Sequence, residues 1–182
     1  MLPKFTNTLA IVGHYCYQLR SLELGIAMML DRVDRRILSV LAEDGRTTCS
    51  ELAQKVGLSN TPVLRRVRLL EQRGLIAGYT ARLDETKLGY SVSVFVSVVL
   101  NSQSHEALAS FEERVSGMPE VMSCFVMSGS TDYLLRVVVP DLETFRVFVT
   151  ERLAAAPGLS RLNSSFVLKT VLQRNAPPLL GT

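Results

Sequence analysis

Cysteine and histidine are scarce in this chain, and long apolar runs are missing. The three cysteines, Cys16, Cys49 and Cys124, are an odd number, far apart and without paired spacing. That excludes a disulfide framework and a thiolate zinc site, and it fits a reducing, cytoplasmic setting. Cys49 and Cys124 are expected to pack as small apolar groups. Of the two histidines, His105 falls in the first turn of an expected helix, at the surface, and His14 lies in the poorly patterned N-terminus. No Ser-His-Asp or Cys-His set, no metal-ligand cluster and no phosphate-cradling glycine loop can be assembled. The chain therefore nominates no catalytic residue, no cofactor and no metal, and an enzyme is not expected. Apolar stretches such as Gly25–Leu30, or Leu134–Leu135 with Val137–Val139, are far too short to cross a bilayer.

Hydrophobic residues make up 47% of the 182, ample for one or two packed domains and unlike a disordered chain. The net charge of +3 is unevenly spread: residues 30–83 hold ten Lys+Arg against six Asp+Glu, whereas residues 91–175 hold seven against eight. The basic part is the part with helical periodicity, as a polyanion-binding module requires. Residues 1–28 show little periodicity and are read as a leader or a mis-assigned upstream extension; an extra N-terminal helix is the alternative.

Three amphipathic segments follow at very short spacing. The first, Val33 to Glu43, has Asp31 or Asp34 as cap, Ile37, Leu38 and Leu41 inward, and Asp44-Gly45 as its exit. Thr48 or Ser50 opens the second, with Leu52, Ala53 and Val56 inward and Gly57 as stop. Leu58 bridges a tight turn, Ser59 caps the third helix, and Pro62 lies in its first turn, where proline is tolerated. At about 100° per residue, Val63, Val67 and Leu70 share one face, and Thr61, Arg65, Arg68 and Gln72 the other. Arg66 and Arg73 flank these faces, and Glu71 is the sole acidic residue. A guanidinium fork binds phosphate or a guanine edge through two parallel hydrogen bonds, which lysine cannot do. A solvated cationic face is the plainer alternative for this helix alone. Two preceding helices and a four-residue turn make the segment a helix-turn-helix.

The second half reads differently. Tyr79, Ala81 and Leu83 alternate as an extended connector, and Asp84–Gly89 as a turn. From Ser91 to Leu100, Val92, Val94, Val96 and Val98 line one face, while Ser91, Ser93, Phe95 and Ser97 line the other. A helix over Ser104–Ser116 follows, then strands over Val121–Met127 and Tyr133–Val139. A helix over Leu142–Ala155, with Leu142, Phe145, Val149 and Leu153 inward, precedes a last strand over Arg161–Val171. The order is that of a ferredoxin-like βαββαβ domain, so the fold class is α+β. Helices would cover one sheet face. Phe125, Met127, Leu135 and Val137 are expected on the other, too apolar to stay wet, which points to a homodimer.

The segments LDRVDRRIL, EDGRTTCSELAQKVGLSNTPVLRRVRLLEQRGLIAGYTARLD and MSGSTDYLLRVVVPDLETF, in that order, resemble the leucine-responsive, or Lrp/AsnC, family of transcription regulators over about Leu30 to Val171. The resemblance implies a winged helix-turn-helix domain (29–78), a hinge strand and linker (79–90), and an effector-binding and dimerisation domain (91–175) followed by a tail (176–182). It implies double-stranded DNA as partner, dimers assembling into larger rings, and an amino-acid effector at the dimer interface. The base-edge or groove candidates are Ser59, Asn60, Thr61, Arg65 and Arg68; Arg46, Arg66 and Arg73 are the phosphate candidates. The loop Gly129-Ser130-Thr131-Asp132 is the effector candidate, its amides forming a nest for a carboxylate and Asp132 facing an ammonium group. A plain hairpin turn is the alternative there. The family's hydroxyl-bearing positions on the last strand fall on Ser164, which keeps the hydroxyl, and Leu162, which does not. Two other classes compete with a ligand-responsive regulator: a ligand-independent architectural DNA protein, and an amino-acid enzyme or its regulatory subunit built on the ferredoxin-like domain.

Overall fold

Asp31 opens the first helix, α1 (Arg32–Glu43), by accepting the Asp34 amide at 2.8 Å. The computed structural model describes residues 30–174 and 176–178; the expected leader over 1–28, with Cys16 and His14, lies outside them. Two compact units divide the described residues: one takes those up to Arg82 together with those after Val171, the other Leu83–Val171.

In the first unit, a reciprocal capping box starts α2 (Cys49–Val56). The Thr48 hydroxyl accepts the Glu51 amide, and the Glu51 carboxylate accepts the Thr48 amide at 2.8 Å. Gly57 ends α2 at φ 74°, and the Leu58 amide reaches back to the Ala53 carbonyl at 3.0 Å. Nothing lies within 4 Å of where a Gly57 Cβ would sit, so only the backbone opposes a side chain. Gly57→Ala is accordingly expected to cost ~1–2 kcal/mol, the left-handed penalty, as a lowered melting temperature of this unit. α3 (Asn60–Gln72) follows, and Ile37, Leu52, Ala53, Val56, Val63 and Leu70 close one core.

Several expectations for this unit are corrected. Gly45 does not take the left-handed conformation; the α1 exit is an extended Asp44, and a Cβ on Gly45 would meet the Tyr79 ring at 3.5 Å. Both that contact and the one to the Leu41 carbonyl at 3.8 Å are ordinary van der Waals distances, so packing does not require glycine there. Ser59 stands at the N-cap of α3 but makes no side-chain cap bond. Pro62 occupies the third helical position, where the cap would find its amide, and has none to donate. Between α3 and Val92 the described residues of one chain form no strand of their own. An alternating segment without a neighbour has no ladder to join. Tyr79 instead donates its phenol to Glu71 Oε1 at 3.0 Å.

The second unit is an antiparallel sheet with helices on one face. Its elements are β1 (Val92–Leu100), α4 (His105–Ser116), β2 (Val121–Val126), β3 (Tyr133–Val139), α5 (Leu142–Val147) and β4 (Leu159–Phe166), with strand order β2-β3-β1-β4. Val94, Val96 and Val98 oppose Val137, Leu135 and Tyr133 across β1–β3, and all six are buried with Phe111, Val115, Phe145, Phe148 and Leu153.

The β3 assignment is therefore corrected. Leu135 and Val137 lie in the core at 0% exposure, and the face away from the helices carries Leu134, Arg136 and Val138. YLLRVVV is apolar on both faces, so alternation alone does not orient it. Phe125, paired with Leu134, is on the open face as expected and half exposed. Cys124 does not pack away; it is exposed on the edge strand β2. The helix after Asp141 changes to π geometry over Phe148–Leu153, which brings Phe148 and Leu153, five residues apart, onto one face. Leu142, expected inward, is the first residue of the helix and is 62% exposed. β4 stops at Phe166, short of the expected Val171, which is 87% exposed.

Candidate DNA interface and effector loop

Burying Val63 and Leu70 against α1 and α2 turns the other side of α3 outward. Thr61, Arg65 and Arg68 are exposed there, with Ser59 and Asn60 exposed at the helix start. Arg73, just past the helix, and Arg46, in the α1–α2 turn, are exposed as well. Arg46, Arg65, Arg68 and Arg73 form no ion pair among the described residues. Their forks are left to water, and the Ser59 hydroxyl has no cap to serve. These seven N–H and O–H bearing side chains, on α3, at its two ends and in the α1–α2 turn, are unspent on the fold among the described residues and can bind phosphate oxygens and base edges.

Arg66 is placed differently from its neighbours. One Nη1 donates to Asp31 Oδ2 at 2.6 Å and to Asp34 Oδ1 at 2.7 Å. Asp34 and Asp31, through these hydrogen bonds, raise the guanidinium pKa above its ordinary value. The Asp34 amide, helped by Arg66, in turn holds the Asp31 carboxyl low. Arg66 thus ties α3 to the start of α1, a role the residue pattern did not assign. A basic residue on the rim of α3 and acidic ones at the N-cap and in the first turn of α1 were the available signal.

The loop before β3 is closed by the Met127 amide donating to the Asp132 carbonyl at 2.8 Å, with Gly129 at φ 133°. Asp132 is bound into the fold on every side. Its amide donates to the Val98 carbonyl at 2.9 Å, Oδ2 accepts the Leu100 amide at 2.7 Å, and Oδ1 accepts from Gln103 Nε2 at 2.7 Å. Leu100 and Gln103 were not foreseen, because the sequence does not reveal that β1 ends beside this loop. Gly129, Ser130 and Thr131 keep amides that donate to no group among the described residues. Ser164 sits on β4 opposite Val96 on the helix-covered face, half buried. β1 runs between β3 and β4, so one protomer does not bring Ser164 to the loop. Leu162 is packed against the core.

Among the described residues, no group of His, Cys, Asp and Glu could hold a metal ion, and no helix is long and apolar enough to cross a membrane.

Both units match known proteins. Residues 30–77 match a family model described as winged helix-turn-helix DNA-binding, and residues 93–177 one described as the Lrp/AsnC ligand binding domain. The chain is 55% identical over 150 residues to the Bkd operon transcriptional regulator of Pseudomonas aeruginosa, covering 82% of this chain and 98% of that protein. It is 42% identical over 146 residues to the leucine-responsive regulatory protein of Escherichia coli K12, covering 80% and 89%. Among solved structures, a Neisseria meningitidis transcriptional regulator in complex with L-Met superposes with a TM-score of 0.81 at 38% identity, covering 84% of this chain and 98% of that one. An AsnC family regulator from Agrobacterium tumefaciens gives 0.78 at 41% identity, covering 82% and 97%. A helix-turn-helix with an outward arginine face, a βαββαβ unit following it in the chain, and identities of 55% and 42% to such regulators over 82% and 80% of the chain lead to one conclusion: the chain belongs to the Lrp/AsnC family of transcription regulators, with a DNA-binding domain followed by a ligand-binding domain.

Proposed function

We propose that this protein is a cytoplasmic, dimeric regulator that reads DNA through α3 and responds to an amino acid. Residues 29–78 are assigned to DNA binding, 79–90 to the linker, and 91–175 to effector binding and self-association. The carrying observation is the outward set of Arg65 and Arg68, free of ion pairs among the described residues, on a helix whose opposite face buries Val63 and Leu70. Two copies of α3 enter successive major grooves about 34 Å apart, matching the two-fold axis of a dimer. Arg65, Arg68, Ser59, Asn60 and Thr61 meet base edges or groove walls. Arg46 and Arg73 meet phosphates. Arg66 keeps α3 in place, since its inner nitrogen is already taken. No catalytic step is assigned to any residue.

The open sheet face, with Phe95, Phe125 and Leu134, is the self-association surface in this reading. The free amides of Gly129, Ser130 and Thr131 receive the effector carboxylate. Asp132 holds their loop to β1 and can still accept from an ammonium group, because a carboxylate has about four acceptor sites. The Neisseria regulator solved with L-Met and the leucine-responsive relative support an amino acid as the effector class. An effector acts only by binding one arrangement of the dimer better than another.

A thermal-shift screen of the full chain against the common amino acids tests this. At least one is expected to raise the melting temperature. Asp132→Ala is expected to abolish that rise and to lower basal stability by ~1–3 kcal/mol, since the Leu100 amide loses its acceptor. A variant shifted as far as the parent places the pocket elsewhere. No shift with any amino acid favours the ligand-independent architectural alternative.

A further inference from the structure

Between the two units the chain is held at both ends of a short stretch. On the α3 side, the Tyr79 phenol donates to Glu71 at 3.0 Å. On the sheet side, residues 84–90 form a compact turn: the Leu88 amide donates to the Asp84 carbonyl, the Tyr90 amide to the Glu85 carbonyl, and the Lys87 amide to Asp84 Oδ1. That turn is fastened to the sheet by Arg136, whose Nη2 donates to both Glu85 oxygens at 2.9 and 2.6 Å. Arg136 lies on the open face of β3, opposite Phe95 of β1. The Ser91 hydroxyl donates to the Pro140 carbonyl at 2.6 Å immediately before β1 begins.

Among the described residues, anchoring at Tyr79 and at the turn leaves Thr80–Leu83 without a fastening. Four residues reach at most about 14 Å when extended. If Glu85 is released, the turn keeps its own backbone bonds but leaves the sheet, and the tether to Ser91 lengthens by the turn itself, about 10 Å at roughly 1.5 Å per residue. A DNA-reading domain on the shorter tether has few placements in which two copies reach two half-sites at once. On the longer tether it has many, and effective concentration then depends weakly on site separation.

We propose that Glu85 and Arg136 are specificity-determining residues: their ion pair holds the linker turn on the sensor sheet and thereby sets which half-site spacings a dimer can engage. This rests on the reading of α3 as the DNA-contacting element of a dimer. It adds that spacing selectivity resides in a pair of residues that touch neither DNA nor effector.

The test measures affinity of the full-length protein for its own promoter site and for the same site with half-sites moved apart by about 5 bp, half a helical turn. The parent is expected to lose about 100-fold on the altered site. Glu85→Ala is expected to bind the natural site nearly as well as the parent and to lose about tenfold or less on the altered one. The charge-swapped pair Glu85→Arg with Arg136→Glu is expected to restore the parental penalty. The clasp is overturned by a parental penalty in Glu85→Ala, by failure of the swap to restore it, or by a parent indifferent to spacing. A parent that binds no DNA under any of these conditions instead overturns the DNA-binding reading, which keeps the two failures apart.

Discussion

Replacing Arg65 and Arg68 together with alanine is expected to weaken binding to the protein's own promoter by about 30- to 10⁴-fold, while leaving the melting temperature nearly unchanged. Each guanidinium that grips a base edge through two hydrogen bonds contributes about 1–3 kcal/mol of discrimination, and the pair contributes roughly twice that when the contacts are independent. Stability is spared because neither side chain makes an ion pair among the described residues and both are exposed. The single variants separate the roles: Arg65→Ala is expected to relax preference at one base position, measured against a set of singly substituted sites. Loss of affinity by the same factor for every sequence identifies a phosphate contact instead. Arg66→Ala has a different signature. Asp31 and Asp34 lose a shared cation, so stability of the helical unit falls along with DNA affinity.

The second large effect concerns the sensor unit. Phe111→Ala is expected to destabilise it by about 3–5 kcal/mol, the usual range for emptying a buried aromatic site. Phe111 is 0% exposed, and its ring centroid lies 4.7 Å from that of Tyr133. Tyr133 is itself bound through its phenol to Glu112 at 2.8 Å, and burial pushes the phenol pKa upward. A loss of that size is a large part of the 5–15 kcal/mol typical of a domain. Calorimetry should show the transition of the Leu83–Val171 unit moving down by many degrees. The transition of the helical unit should stay near its parental position, because Phe111 belongs to a core that contains no residue of α1, α2 or α3. A single transition shifted as a whole would show instead that the two units unfold as one.

Where local chemistry decides a structure, the residues made it legible. Thr48 with Glu51, Gly57 after Val56, and Ser104 before the helix of the second unit each mark a boundary that the fold observes. The βαββαβ order could be read because Val92–Leu100 alternates cleanly and has only one acceptable face. Legibility ended where a neighbour decides. Tyr133–Val139 is apolar on both faces, so its orientation comes from pairing with β1, which a single strand does not encode. Phe148 and Leu153 share an inward face because the helix widens to π geometry after Val147, whereas helical periodicity assumes a constant rotation per residue. Gly45 lies beside the Tyr79 ring, which is 34 residues away in sequence. The exposure of Thr61, Arg65 and Arg68 was legible because they share one face of one helix. Arg66 was not separable from them, since its partners lie at the start of a different helix. The fastening of Asp132 by Leu100 and Gln103 is likewise a product of tertiary placement.

Chemical protection of guanine N7 on the promoter fragment, with and without the protein, tests the central claim most directly, because N7 faces the major groove. The outward face of α3 predicts two protected windows separated by about 10–10.5 bp or a multiple of it, both lost in the Arg65→Ala, Arg68→Ala double variant. Protection spread evenly along the fragment, or protection that survives in the double variant, would contradict the assignment of this helix as the element that reads DNA.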